Sequence, residues 1–213
     1  MKIGVFDSGK GGTVILEEIK RRLPDMEYCY IADSKNCPYG EKTDDELRKI
    51  VHDVSVRLIR WGASIIVIAC NTATTKCIDY LRSTFPTVVF VGTEPAVKLA
   101  AKMNARRVLV LATPGTAHSE RLLSLVEQNN EKHIIDVLAC PGLADAVENN
   151  MDVENILKKL FQSTRRDYDV IVLGCTHYSL IKKQIQRYFP HSKLIDGNDG
   201  VANRVVSVIK NQL

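Results

Sequence analysis

The chain has 213 residues, 45% of them hydrophobic, and a formal net charge of +4 from 29 Lys and Arg against 25 Asp and Glu. That length buries a real core as one large or two small domains, and the composition is that of an ordinary globular protein. The positive charge is scattered. Its tightest pairs, Arg21-Arg22, Arg106-Arg107, Arg165-Arg166 and Lys182-Lys183, have no interleaved aromatics, so they read as solvated helix ends and exclude a nucleic-acid track or a base-stacking platform.

The N-terminal MKIGVFDSG enters a strand directly, with no signal-peptide layout. Apolar runs stay short, such as Ile65 to Ala69, far below the length that crosses a bilayer. A cytoplasmic protein with no membrane partner is expected. In chain order, strands are predicted at 2–6, 27–31, 64–69, 88–91, 107–112, 134–138, 169–173 and 193–195. Amphipathic segments lie between them. The clearest, 43–61, carries Leu47, Ile50, Val51, Val54, Leu58 and Ile59 at helical spacing. Strand–helix alternation of this kind predicts an α/β fold with parallel sheets.

The first strand runs into GVFDSGKG, which nearly fits the phosphate loop G-x-x-x-x-G-K-[ST], but Gly11 stands where the magnesium-binding hydroxyl belongs. The glycines are instead expected to let the backbone approach a smaller anion, with Asp7 and Ser8 facing it. An aspartate there repels phosphate and accepts a hydrogen bond from an ammonium group.

Six cysteines stand at 29, 37, 70, 77, 140 and 175 with no C-x-x-C pair. That spacing argues against a structural zinc site, and a reducing cytosol argues against a disulfide framework. Cys29 in a strand, Cys77 on an apolar helix face, and Cys37 and Cys140 before prolines in turns are expected to be small packed residues.

Cys70 and Cys175 are different, because the sequence repeats. KIGVF at 2–6 matches RVLVL at 107–111, and IVIAC ending at Cys70 matches IVLGC ending at Cys175. Val88–Gly92 matches Lys193–Gly197, all at one offset of 105 residues. Two copies of one α/β unit are implied. Each copy carries a strand to a thiol followed by polar residues, Cys70-Asn71-Thr72 and Cys175-Thr176-His177. In open α/β sheets ligands bind at the carboxyl ends of strands, so the two thiols are expected on opposite walls of one cleft. The helix N-terminus behind each thiol is expected to lower its pKa from about 8.5 toward neutrality and to dock a carboxylate. Two weak acid/base groups on opposite faces of a small substrate suit inversion at carbon: one removes a proton and the other returns it from the far side. Asp7 and His177 are placed to tune the two thiols.

These residues resemble glutamate racemase. GVFDSGKGG, PYG at 38–40, ACNTAT at 69–74, EPA at 94–96 and LGCTHY at 173–178 occur in that family's order and cover nearly the whole chain. ACNTAT with GCTHY is similar to this group rather than to aspartate racemases, whose second motif has Glu where His177 stands. The resemblance implies two Rossmann-like or flavodoxin-like parallel-sheet units, with L- and D-glutamate interconverted in the cleft between them without any cofactor or metal, to supply peptidoglycan. It implies Cys70 as the base toward D-glutamate, assisted by Asp7, and Cys175 as the base toward L-glutamate, assisted by His177. Glu148, in CPGLADAVEN, is implied as a further acidic helper. Substrate contacts are implied for Asp7, Ser8, Tyr39, Gly40, Asn71, Thr72, Thr116, Thr176 and His177, and a homodimer is the family's usual assembly.

The family continues for several elements past LIDGNDGVANRVVSVIKNQL, so a shortened or exposed edge is expected on the first sheet. Residues 1–93 with 194–213 are expected to form the first unit and 94–193 the second. An aspartate or broad-specificity racemase of the same superfamily is one alternative, and a non-catalytic amino-acid-binding paralogue is another. The second is disfavoured because a binding module has no use for both thiols.

Overall fold

The computed structural model describes residues 1–130 and 133–211. The last two residues of the segment 194–213 expected in the first unit lie outside the described residues. The strands are β1 (Lys2–Asp7), β2 (Glu27–Ala32), β3 (Ile65–Ile68), β4 (Val89–Gly92), β5 (Arg107–Ala112), β6 (Ile134–Ala139), β7 (Val170–Leu173) and β8 (Lys193–Ile195). The helices are α1 (Thr13–Arg22), α2 (Asp44–Trp61), α3 (Asn71–Thr84), α4 (Val97–Ala101), α5 (Pro114–Ala117), α6 (Glu120–Glu127), α7 (Leu143–Glu148), α8 (Val153–Phe161), α9 (Thr176–Leu180), α10 (Lys182–Tyr188) and α11 (Asn198–Lys210). Every predicted strand is present, with ends shifted by a residue or so.

The strands form two four-stranded sheets, ordered β2-β1-β3-β4 and β6-β5-β7-β8, and every pairing is parallel. The shared order is the structural form of the sequence repeat. Central strands β3 and β7 are apolar along their whole length because helices cover both faces; Ile65, Ile66, Val67 and Ile68 are all fully buried. Helix α2 shows how local sequence sets an element. Thr43 caps its N-terminus in a capping box with Glu46, three acidic residues occupy the first turn, and Gly62 ends it at φ 100°. Its Leu47, Val51, Val54 and Leu58 pack under the first sheet.

In the order 2-1-3-4 the chain reverses direction across the sheet between β1 and β3, and again between β5 and β7. Crevices open at such switch points. The residues delivered there are Asp7 and Cys70 in one unit, and Thr113 and Cys175 in the other.

The chain crosses between units twice. It passes from β4 into α4, whose Val97 and Ala100 pack in the second unit's core. After β8, which pairs with β7, it returns through α11, whose Val201, Ala202 and Val205 pack with Ile3, Val5 and Ile15. We propose a division in which 1–93 and the segment from 196 form the first unit. The expected cut at 194 falls within β8, a strand of the second sheet.

Candidate active site

Cys70 and Cys175 occupy equivalent places, each the residue before the first turn of a helix that follows a central strand. They are 5% and 7% exposed. Each thiol heads a short polar chain. The Cys70 Sγ lies 3.8 Å from the Ser8 hydroxyl, which lies 3.5 Å from Asp7 Oδ1. The Cys175 Sγ lies 3.8 Å from His177 Nδ1, and His177 Nε2 lies 2.8 Å from Glu148 Oε2. One thiol is thus backed by a hydroxyl and a carboxylate, the other by an imidazole and a carboxylate.

The two chains meet. Asp7 Oδ2 accepts the Gly12 N–H at 2.6 Å and the Thr176 hydroxyl at 3.3 Å. Across the opposite rim, the Thr72 hydroxyl lies 2.8 Å from that of Thr113 and 3.1 Å from that of Thr116. Glu148 clamps the near side: it accepts the Lys10 N–H at 2.9 Å and the Ser34 hydroxyl at 2.5 Å, while Lys10 Nζ reaches the Glu148 carbonyl. Asn71 Oδ1 is buried without a hydrogen-bond partner among the described residues. Such an acceptor costs about 1–3 kcal/mol unless a ligand donates to it.

Of the residues singled out in the sequence, Asp7, Ser8, Cys70, Asn71, Thr72, Thr116, Cys175, Thr176, His177 and Glu148 gather here. Tyr39 is buried beside them with its hydroxyl donating to Asp33 at 2.7 Å. Gly40 packs on Thr113, where an added Cβ would come within 2.9 Å of that residue's own Cβ. Lys10, Ser34 and Thr113 were missed. Thr113 was findable, because it stands 105 residues after Ser8. Cys37 corrects its reading as a packed turn residue: it is only partly buried, with its sulfur among the Glu148 and His177 donors.

The glycine loop also differs from expectation. A Cβ on Gly9 would lie 2.3 Å from a Glu148 oxygen, and one on Gly11 would lie 2.7 Å from the His177 backbone nitrogen. The glycines admit groups of the second unit itself: the Glu148 carboxylate, which the Lys10 N–H meets, and the start of α9.

Thiol acidity departs from expectation as well. Burial holds Cys70 well above its ordinary value and Asp7 adds to this, outweighing hydrogen bonds from Ala73 and Ser8. Cys175 is pushed up by burial, then by Cys70 and Asp7. Desolvation beats the helix N-terminus because it penalises the thiolate's whole charge. Asp7 is raised by burial, against the opposing influence of His177 and its hydrogen-bond donors. Glu148 is pushed up by burial but more strongly held down by Ser34, Lys10 and His177, so it lies below its usual value.

The raised thiols predict an alkaline instability. Unfolded thiols ionise near pH 9 or just below, while Cys70 and Cys175, with Cys140 pushed up by burial to about 12, keep their protons when folded. Above that unfolded value the unfolded state binds fewer protons, so stability that is complete below it falls as pH rises. Calorimetry should show Tm dropping by several degrees between about pH 8 and 10.5. A flat Tm would mean that these thiols ionise as freely folded as unfolded.

Comparison with known proteins places this arrangement. The Asp/Glu/Hydantoin racemase family model matches residues 11–205. The glutamate racemase of Campylobacter curvus is 42% identical over 220 aligned residues, covering 97% of this chain and 82% of the relative. Escherichia coli glutamate racemase, solved with L-glutamate and the activator UDP-MurNAc-ala, superposes with a TM-score of 0.89 at 31% identity, covering 98% of this chain and 82% of that one. The Francisella tularensis glutamate racemase, solved with D-glutamate, gives 0.85 at 27% identity, covering 99% and 81%. With sequence and fold agreeing across almost all of its length, the chain belongs to the Asp/Glu/Hydantoin racemase family, among the glutamate racemases.

Proposed function

We propose that the protein interconverts L- and D-glutamate by two-base proton transfer between Cys175 and Cys70, supplying D-glutamate for peptidoglycan. The observation that carries this reading is the pairing of two buried thiols at equivalent strand ends, each backed by its own polar chain. Cys175, its own proton passed to His177 Nδ1, removes the α-proton of L-glutamate while Cys70 as thiol protonates the far face; in the reverse reaction Cys70, its proton passed through Ser8 toward Asp7, is the base and Cys175 the acid. His177, braced by Glu148, takes up charge beside Cys175, and Asp7 acts on Cys70 through Ser8. The N–H groups opening α3 and the hydroxyls of Thr72, Thr116 and Thr176 hold the substrate's carboxylates. The unpartnered Asn71 Oδ1 and the Asp7 carboxylate suit its ammonium group. No cofactor enters the scheme. An aqueous, reducing compartment, the cytoplasm, keeps six free cysteines reduced. A homodimer is the proposed assembly, which light scattering on the purified protein tests.

The decisive experiment is isotopic. In heavy water, starting from pure L-glutamate and stopping early, the D-glutamate formed should carry deuterium, because Cys70 has equilibrated with solvent. The remaining L-glutamate should still carry mostly protium. Product retaining substrate protium would point to one base serving both faces. A parallel run with L-aspartate, followed by circular dichroism, separates a glutamate enzyme from a broader one.

A further inference from the structure

We propose that Cys37, Glu148 and His177 form a binding site for a thiophilic divalent cation of the zinc class, and that its occupation shuts the enzyme off. Their ligand atoms, a sulfur, a carboxylate oxygen and an imidazole nitrogen, lie within 4.8 Å of one another. Tetrahedral zinc with Cys, His and carboxylate ligands needs donor separations of roughly 3.3–3.6 Å. The present set therefore requires movements of little more than an ångström and no refolding. The His177–Glu148 contact of 2.8 Å is a hydrogen bond whose proton the cation replaces.

The set is preorganised. Glu148 is fixed by Ser34 and the Lys10 N–H, and His177 by its position beside Cys175. Mixed sulfur and imidazole ligation selects zinc or cadmium over magnesium or calcium, which prefer oxygen ligands throughout. Binding releases the Cys37 thiol proton and any proton on the coordinating imidazole nitrogen to solvent; no electron is transferred. Once ligated through Nε2, His177 is held as the Nδ1–H tautomer and can no longer accept a proton from Cys175. Three residues from distant parts of the chain make the site, and only one of them, Cys37, has no part in the proposed proton transfer.

That separation gives the test, which reads metal binding directly and so does not depend on which amino acid the cleft racemises. The protein is titrated with Zn2+ against a chromophoric chelator, and with Cd2+ while the thiolate-to-cadmium absorption is followed. Wild type should take up one Zn2+ per chain. Cys37→Ser should bind about tenfold or more weakly, lose the cadmium band, racemise normally and resist zinc inhibition. Cys70→Ser and Cys175→Ser, which keep all three ligands, should still bind. Circular dichroism confirms that each variant is folded. An absence of binding in wild type, unchanged affinity in Cys37→Ser, or loss of binding in Cys70→Ser or Cys175→Ser while folded would overturn the site.

Discussion

Replacing either Cys70 or Cys175 by alanine should abolish racemisation in both directions, lowering kcat by at least about a thousandfold. A positioned acid or base contributes roughly a hundred- to ten-thousandfold, and inversion needs one on each face, so loss of either stops the whole reaction. Folding should survive, because a cysteine-to-alanine change at a helix start removes one small buried group and leaves the backbone bonds of α3 and α9 in place. The remaining thiol supplies a further readout. Cys70→Ala retains Cys175, so in heavy water L-glutamate should slowly exchange its α-proton while staying L. Cys175→Ala should do the same for D-glutamate. Near wild-type racemisation by either variant would dismiss the two-thiol mechanism, and exchange of the wrong enantiomer would reverse the assignment of the thiols to faces.

Gly11→Ala should cost on the order of a hundredfold in kcat, although Gly11 bears no functional group. Its Cβ would lie 2.7 Å from the His177 backbone nitrogen and from the Thr176 hydroxyl, and 2.9 Å from His177 Nδ1. Two of these neighbours cannot rotate away: one is backbone, and the other is a ring held between Cys175 and Glu148. The start of α9 must therefore withdraw from the first unit by about 0.7 Å, the gap between 2.7 Å and the 3.4 Å at which ordinary contact begins. Cys175 caps that helix and withdraws with it. Displacement of a reacting group by about an ångström is worth about a hundredfold in rate, whereas the overpacking itself costs about 1–3 kcal/mol of stability. Steady-state kinetics beside a melting curve tests this. A kcat within a few-fold of wild type would show that the two walls yield without disturbing the thiol.

Much of the fold was legible because buried parallel strands write themselves as apolar runs bounded by turns. Ile65–Ile68 and Val170–Leu173 needed no structure to be found, and their common offset carried the shared sheet order. The two thiols were legible for the same reason, as residues at repeated strand ends. Three things were not. Cys37 reaches the site through an irregular loop, which has no period from which direction can be read. The acidity of Cys70 and Cys175 depends on how much water the opposite wall excludes, and one unit's sequence says nothing of that. Gly9 and Gly11 fit their neighbours across the cleft, and the motif GVFDSGKG carries no mark of what faces it.

The double crossing of the chain has a consequence for synthesis on the ribosome. The second unit is a nested insertion: everything from α4 to β8 lies between two segments of the first. All four strands of the first sheet are made by residue 92, yet one of its faces is covered only by α1 until α11 emerges with Val201, Ala202, Val205, Val208 and Ile209. A nascent chain holding the early sheet thus exposes apolar surface of the kind that invites aggregation, while the inserted unit has all its helices and strands, α4 to β8, in one continuous stretch. The order of maturation is expected to run against the order of translation, with the inner unit settling first and the outer one closing around it. Pulse proteolysis of stalled chains would register this as early protection of the later-made half.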